Sequence, residues 1–95
     1  LEQTLREQLG MIHSHCEHPI LAQNHQGQTI SGVIDLLAEA DNGYWVIDHK
    51  TDTENDASKH WNQINAYAEC LNLKKPVLGV AINWTQHGTL ETLRF

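Results

Sequence analysis

Gly32-Val33-Ile34-Asp35-Leu36-Leu37, then Asp41-Asn42-Gly43, then Tyr44-Trp45-Val46-Ile47-Asp48-His49-Lys50 is the stretch whose reading decides the fold. Two runs rich in β-branched and aromatic residues flank an Asn-Gly reversal, a strong short-range signal for a β-hairpin. Side chains alternate faces along a strand, so Asp48 and Lys50 project from one face and Trp45, Ile47 and His49 from the other. On the preceding strand Asp35 is expected to share its face with Val33 and Leu37. Register decides the rest, because residues opposite each other on an antiparallel ladder point the same way. With Asp41-Asn42 as the two-residue loop, Asp35 faces Asp48. With Asn42-Gly43 as the loop, Asp35 faces Lys50 and lies diagonal to Asp48. Both registers gather Asp35, Asp48 and Lys50 on one surface.

Outward from the hairpin, Leu1, Leu5 and Leu9 recur every four residues and stop at Gly10, predicting an amphipathic helix with a C-terminal glycine cap. Ser14 to Ala22 reads as a weak strand, and Asn24-His25-Gln26-Gly27 supplies a turn before the strong strand from Thr29 to Leu37. After a polar loop from Thr51 to Asp56, the segment Ala57 to Leu73 carries Trp61, Ile64, Ala68 and Leu71 at helical spacing, a single buried stripe, and Pro76 follows it. Val77 to Ile82 is almost wholly apolar, as expected of an interior strand covered on both faces. Thr89 to Phe95 alternates like an edge strand. The order α, three β, α, two β predicts an α/β domain: a mixed β-sheet with a central antiparallel meander, flanked by α-helices.

The 95 residues suffice for one domain, 1–95, with no room for a second core. The first residues hold neither an initiator Met nor the apolar core of a signal peptide, so the chain is expected to be an N-terminally truncated piece of a longer polypeptide. No apolar run approaches membrane-spanning length, and a membrane partner is not expected. Cys16 and Cys70 are too few for a disulfide framework or for four-thiolate ligation of an iron–sulfur cluster, so a reducing, cytoplasmic setting is expected. The His-x-His-Cys-x-His run at positions 13–18 matches no usual structural zinc spacing, and solvent-facing histidines are expected there.

An Asp-x-Lys on a solvated strand face is commonplace, and here the context matters. Asp35 interrupts an apolar run and Asp48 ends one, and ionised carboxylates amid such burial are costly unless paired or metal-bound. Two crowded carboxylates repel and raise each other's pKa unless a cation intervenes. Mg²⁺ or Mn²⁺ accepts one or two carboxylates plus waters and phosphate oxygens, lowers the pKa of a bound water, and offsets charge on a scissile phosphate. A lysine beside it can orient the water or stabilise the transition state. These are the parts of metal-assisted phosphodiester hydrolysis.

The ordered trio GVIDLL, YWVIDHKTD and Gln63-Ile64-Asn65-Ala66-Tyr67 resembles the PD-(D/E)XK nuclease superfamily, over about Cys16 to Phe95. The form is that of the RecB/AddA-like C-terminal nuclease domains of superfamily 1 helicase-nucleases, with a restriction-endonuclease-like core. The resemblance implies a metal-dependent, exodeoxyribonuclease V-like DNA nuclease of repair and recombination. In it Asp35 and Asp48 would be acidic ligands of Mg²⁺ or Mn²⁺, the backbone carbonyl of His49 a further ligand, and Lys50 the catalytic lysine. Gln63 and Tyr67, roughly 40° apart around a helix, would flank the active face and help place DNA or the lysine. Glu17 resembles the glutamate that often opens the preceding strand, an accessory position. ATP would enter only through fused helicase domains of the same polypeptide. Other implied partners are DNA ends or single strands and a second recombination-complex subunit.

The sequence departs from the pattern in one place: His13, His15, His18 and His25 all lie too near Asp35 to match the upstream histidine ligand of RecB-like domains. Twelve acidic against six basic residues leave a net charge of −6, which argues against a free-standing binder held by phosphate neutralisation. In a fused protein, neighbouring domains and bound cations supply the positive field, and Lys50, Lys59, Lys74 and Lys75 guide only the last nucleotides. Weak DNA binding by the isolated chain is the expectation. The alternatives are a stand-alone RecB-like or restriction-type nuclease, and an inactive nuclease-like docking module.

Overall fold

Leu5, fully buried under the sheet's first face, is the residue around which the opening helix forms. A computed structural model of the chain describes residues 1–23, 26–51, 57–71 and 74–95, with the side chains of 57–60 left undescribed. Helix α1 (Glu2–Leu9) closes on Gly10, whose left-handed φ of 71° lets its N–H reach back to the carbonyls of Arg6 and Leu5. Strands β1 (Met11–Gln23), β2 (Thr29–Ala40) and β3 (Gly43–Lys50) follow, then α2 (Ala57–Cys70), β4 (Val77–Trp84) and β5 (Thr89–Arg94). The expected turn at Asn24-His25, most of the polar loop, the last expected residues of the second helix at 72–73, and the side chain of Lys59 lie outside the described residues.

The five strands stand in chain order in one sheet. β1, β2 and β3 form the antiparallel meander, β3 and β4 pair in parallel across the α2 crossover, and β5 returns antiparallel at the edge. One face carries Tyr44, Val46, Val80 and Ile82 against Ile64 and Ala68 of α2. The other carries Leu36, Ala38, Trp45, Ile47 and Ala81 against Leu5 of α1 and Met11. β4 is buried on both faces from Val80 to Ile82, as its unbroken apolar run implies. The mixed sheet between helices is an α/β restriction-endonuclease-like fold. No helix among the described residues is long and apolar enough to cross a membrane.

The reversal between β2 and β3 takes the first of the two registers. Ala40 pairs with Gly43, leaving Asp41 and Asn42 as the loop. Gly43 is therefore needed for proximity and not for turn geometry: a Cβ there would collide with the carbonyl of Pro76 and lie 2.6 Å from Leu78 Cγ. That same carbonyl accepts the Tyr44 N–H at 2.9 Å, bringing β4 alongside β3.

One expectation is corrected. Ile34, not Val33, joins Leu37 in the core beneath α2, while Val33 is 51% exposed. Inward and outward positions therefore slip by one between Ile34 and Asp35. On β1 the pairs His18 with Ile34 and Cys16 with Leu36 bracket Glu17, whose φ is 53°, a left-handed value unusual for a residue with a side chain. Strict alternation cannot anticipate a left-handed residue in the neighbouring strand.

Candidate active site

Alternation from Leu37 through Leu36 puts Asp35 on the α2 face, and the slip adds Ile34 to that face beside it. The β2–β3 ladder ends with Leu36 opposite Ile47, and continuing that register by one residue carries Asp35 toward Asp48. Asp48 follows Tyr44 and Val46 on that face, and Lys50 follows Asp48. The two carboxyl groups lie close enough to perturb each other's ionisation. Asp35 Oδ2 also accepts the backbone N–H of His49 at 2.8 Å, so the carboxylate caps the strand opposite. Lys50 Nζ lies 2.9 Å from Asp48 Oδ2. That is an ion pair by distance but lacks the alignment of a hydrogen bond, leaving this buried oxygen with acceptor capacity unused.

The environment drives the two acids apart. Burial disfavours ionisation of Asp35, but the Asp48 carboxyl, the His49 N–H and the positive charges nearby outweigh it, and its pKa falls below the ordinary value. Asp48 is pushed up, first by burial and then by its neighbour's negative charge, with Lys50 compensating only in part. The two acids therefore titrate as a pair, Asp48 holding its proton more tightly than Asp35. The side chains of Lys50 and Asp48 are 22% and 19% exposed, so the cluster opens to solvent at one side.

His49 turns its ring to the α1 face, where Asn83 Nδ2 meets its Nδ1 at 3.1 Å. Its imidazole is thus separated from the acids by the sheet, and only its backbone can take part. Gln63 Nε2 donates to the Tyr67 hydroxyl at 3.2 Å on α2. The Tyr67 ring is half-buried and pressed onto Gly32, so it packs on the core's margin instead of standing clear of it. Glu17 is exposed at the Asp35 rung. Lys75 is engaged elsewhere, donating to Glu39 Oε2 at 2.8 Å and the Ala40 carbonyl at 3.1 Å.

A family model described as the PD-(D/E)XK nuclease superfamily matches residues 1–87. The chain belongs to the PD-(D/E)XK nuclease superfamily. Among proteins of curated function, none matches the chain. Membership in this superfamily implies a nuclease, a hydrolase acting on DNA, of a group that generally uses divalent metals.

Two features of this nuclease were not read from the sequence. Thr85 donates from both its N–H, at 2.9 Å, and its hydroxyl, at 3.1 Å, to the Lys50 carbonyl, clamping the end of β3. Trp84 pairs with Lys50 across the parallel ladder. A parallel pairing of β3 with β4, implicit in the β3–α2–β4 order, was the signal that would have found them.

Proposed function

We propose that the chain is the catalytic core of a Mg²⁺- or Mn²⁺-dependent DNA exonuclease, with Asp35 and Asp48 as metal ligands and Lys50 as the catalytic lysine. The supporting observation is the contact between the Asp35 and Asp48 carboxyls with the Lys50 ammonium beside them. Two half-buried carboxyl groups pushed to opposite pKa shifts are an arrangement a hard divalent cation relieves. Among the described residues no group of three His, Cys, Asp or Glu side chains converges. The donor set is thus two carboxylates and, by position, the His49 carbonyl, with water and phosphate oxygens filling the rest, which suits Mg²⁺ better than zinc.

When bound, the ion supplies a water of lowered pKa and offsets charge on the phosphate. The chain's own groups do the remainder. The His49 N–H fixes the orientation of Asp35. Lys50, restrained at its carbonyl by Thr85, presents its ammonium where the attacking water or the departing oxygen can use it. Gln63 and Tyr67, bonded to each other on α2, support the DNA in this reading. The motif set further supports a place in a helicase-nuclease of double-strand-break repair and recombination, in the cytoplasm, with ATP used by the helicase domains and a second subunit alongside.

In the parent polypeptide, Asp35→Ala or Asp48→Ala abolishes metal-dependent degradation of linear DNA while leaving the circular dichroism unchanged. Lys50→Ala retains Mn²⁺ binding by calorimetry and slows cleavage on the order of 10²-fold or more. Retained cleavage in either Asp variant refutes the assignment. The open reading frame upstream of Leu1 tests the fusion: absence of helicase motifs rejects it.

A further inference from the structure

On the α2 face, the row next to Asp48 and Lys50 is supplied by β4. Ile82 pairs with Asp48 and Trp84 with Lys50, and neighbouring strands stand about 4.8 Å apart. Ile82 is fully buried and floors the site. Trp84 is half-buried, packed at the margin of the α2-side core. Its indole N–H donates to Glu91 Oε2 at 3.0 Å. Glu91 stands opposite Ile82 on β5 and so shares this face. The Thr85 clamp on the Lys50 carbonyl ties the backbone carrying Trp84 to the backbone carrying the lysine. The ring is therefore fixed in height by the ladder and in angle by Glu91, one strand away from the lysine.

We propose that Trp84 is a nucleotide-contacting residue, its indole stacking on the base next to the phosphate that Asp35, Asp48 and Lys50 engage. This deepens the nuclease reading above and rests on it. A chain with net charge −6 draws little affinity from phosphate neutralisation. Stacking needs no charge and accepts any base, because every base has a π face. An aromatic side chain already pinned by its polar atom loses little freedom when the base arrives. The expected substrate is an unpaired strand end, held with little sequence preference and with a shallow salt dependence.

The test is fluorescence anisotropy of a labelled single-stranded oligothymidylate with the 95-residue chain, without divalent metal. Trp84→Leu weakens binding roughly tenfold, and Trp84→Phe stays within about twofold of wild type. On the same strand made abasic, wild type and Trp84→Leu bind alike. In a Trp61→Phe background, where the other remaining tryptophan is the buried Trp45, oligothymidylate quenches the tryptophan emission and the abasic strand does not, a measurement independent of whether Trp84→Leu folds. Failure of the wild-type chain to bind, equal affinities for wild type and Trp84→Leu, a loss that persists on the abasic strand, or absent quenching each overturns the proposal. Cleavage by the parent polypeptide separates the two readings. Metal-dependent cleavage with no stacking signal rejects Trp84 alone, whereas no cleavage rejects the nuclease reading.

Discussion

Gly32→Ala gives the sharpest test of how α2 meets the strand that carries Asp35. A Cβ at Gly32 would overlap the Tyr67 hydroxyl and lie 2.8 Å from Tyr67 Cζ. Ordinary carbon contacts sit at about 3.5–4.0 Å, so the ring has to retreat by roughly 1 Å. The obstacle is the far end of a side chain and not backbone, which sets the cost at the lower end of overpacking, about 1–2 kcal/mol. Alanine also stiffens the unfolded chain, returning about 0.4–1 kcal/mol. The net loss is at most about 1.6 kcal/mol and centres near ~0.8 kcal/mol, a fall in Tm of roughly 3–6 °C at the centre for a domain of this size. In a Tyr67→Ala background the obstacle is gone, the sign reverses, and Gly32→Ala stabilises by about 0.4–1 kcal/mol. Thermal melts of the four proteins close the cycle, with an expected coupling of about 1–2 kcal/mol, the overpacking cost itself. An equal effect of Gly32→Ala in both backgrounds would refute the packing of Tyr67 on β2.

Other predictions follow from the core and the charges. Ile82→Ala, at a side chain with no exposed surface, costs about 2–5 kcal/mol in urea unfolding. Asp48 holds its proton more tightly in the folded chain than at its ordinary pKa of 3.8. Its contribution is thus full below that value and lost as pH rises through the raised one, and Asp48→Asn gains stability over wild type as melts move from acid to neutral pH. Asp35 is lowered, so its contribution is present above 3.8 and lost as pH falls through its depressed folded pKa, and Asp35→Asn flattens that acid limb. Mn²⁺ at about 100 times its Kd adds roughly 2.7 kcal/mol to wild-type stability, and Asp35→Asn loses the gain. Thr85→Val, which removes the hydroxyl bond to the Lys50 carbonyl, lowers kcat by about 2- to 10-fold, and Thr85→Ser restores it.

What the sequence disclosed and what it withheld divide along physical lines. The β2–β3 hairpin was legible because a two-residue loop and period-two alternation leave two registers, and both bring the same three side chains together. Choosing between them needed Gly43, whose small size answers to the Pro76 carbonyl, a partner far along the chain that no local pattern reveals. The α2 stripe of Ile64 and Ala68 was legible from spacing alone. β1 read as weak and short, yet it runs from Met11 to Gln23, because an edge strand with polar, exposed positions carries little hydrophobic signal. The slip at Glu17 and Asp35 was hidden for a different reason: a left-handed glutamate is a tertiary outcome, and no residue type announces it. The Thr85 clamp depends on a parallel neighbour and was hidden in the same way.

The parallel pairing of β3 with β4 also divides assembly in time. Asp35 and Asp48 are brought face to face by a two-residue loop, a local event that costs little closure entropy. The groups that restrain Lys50 arrive only after the chain has traversed α2 and laid β4 beside β3. A nascent chain emerging in order would therefore acquire the opposed acids before the restrained cation, and remain unable to act on nucleic acid until the second half had docked.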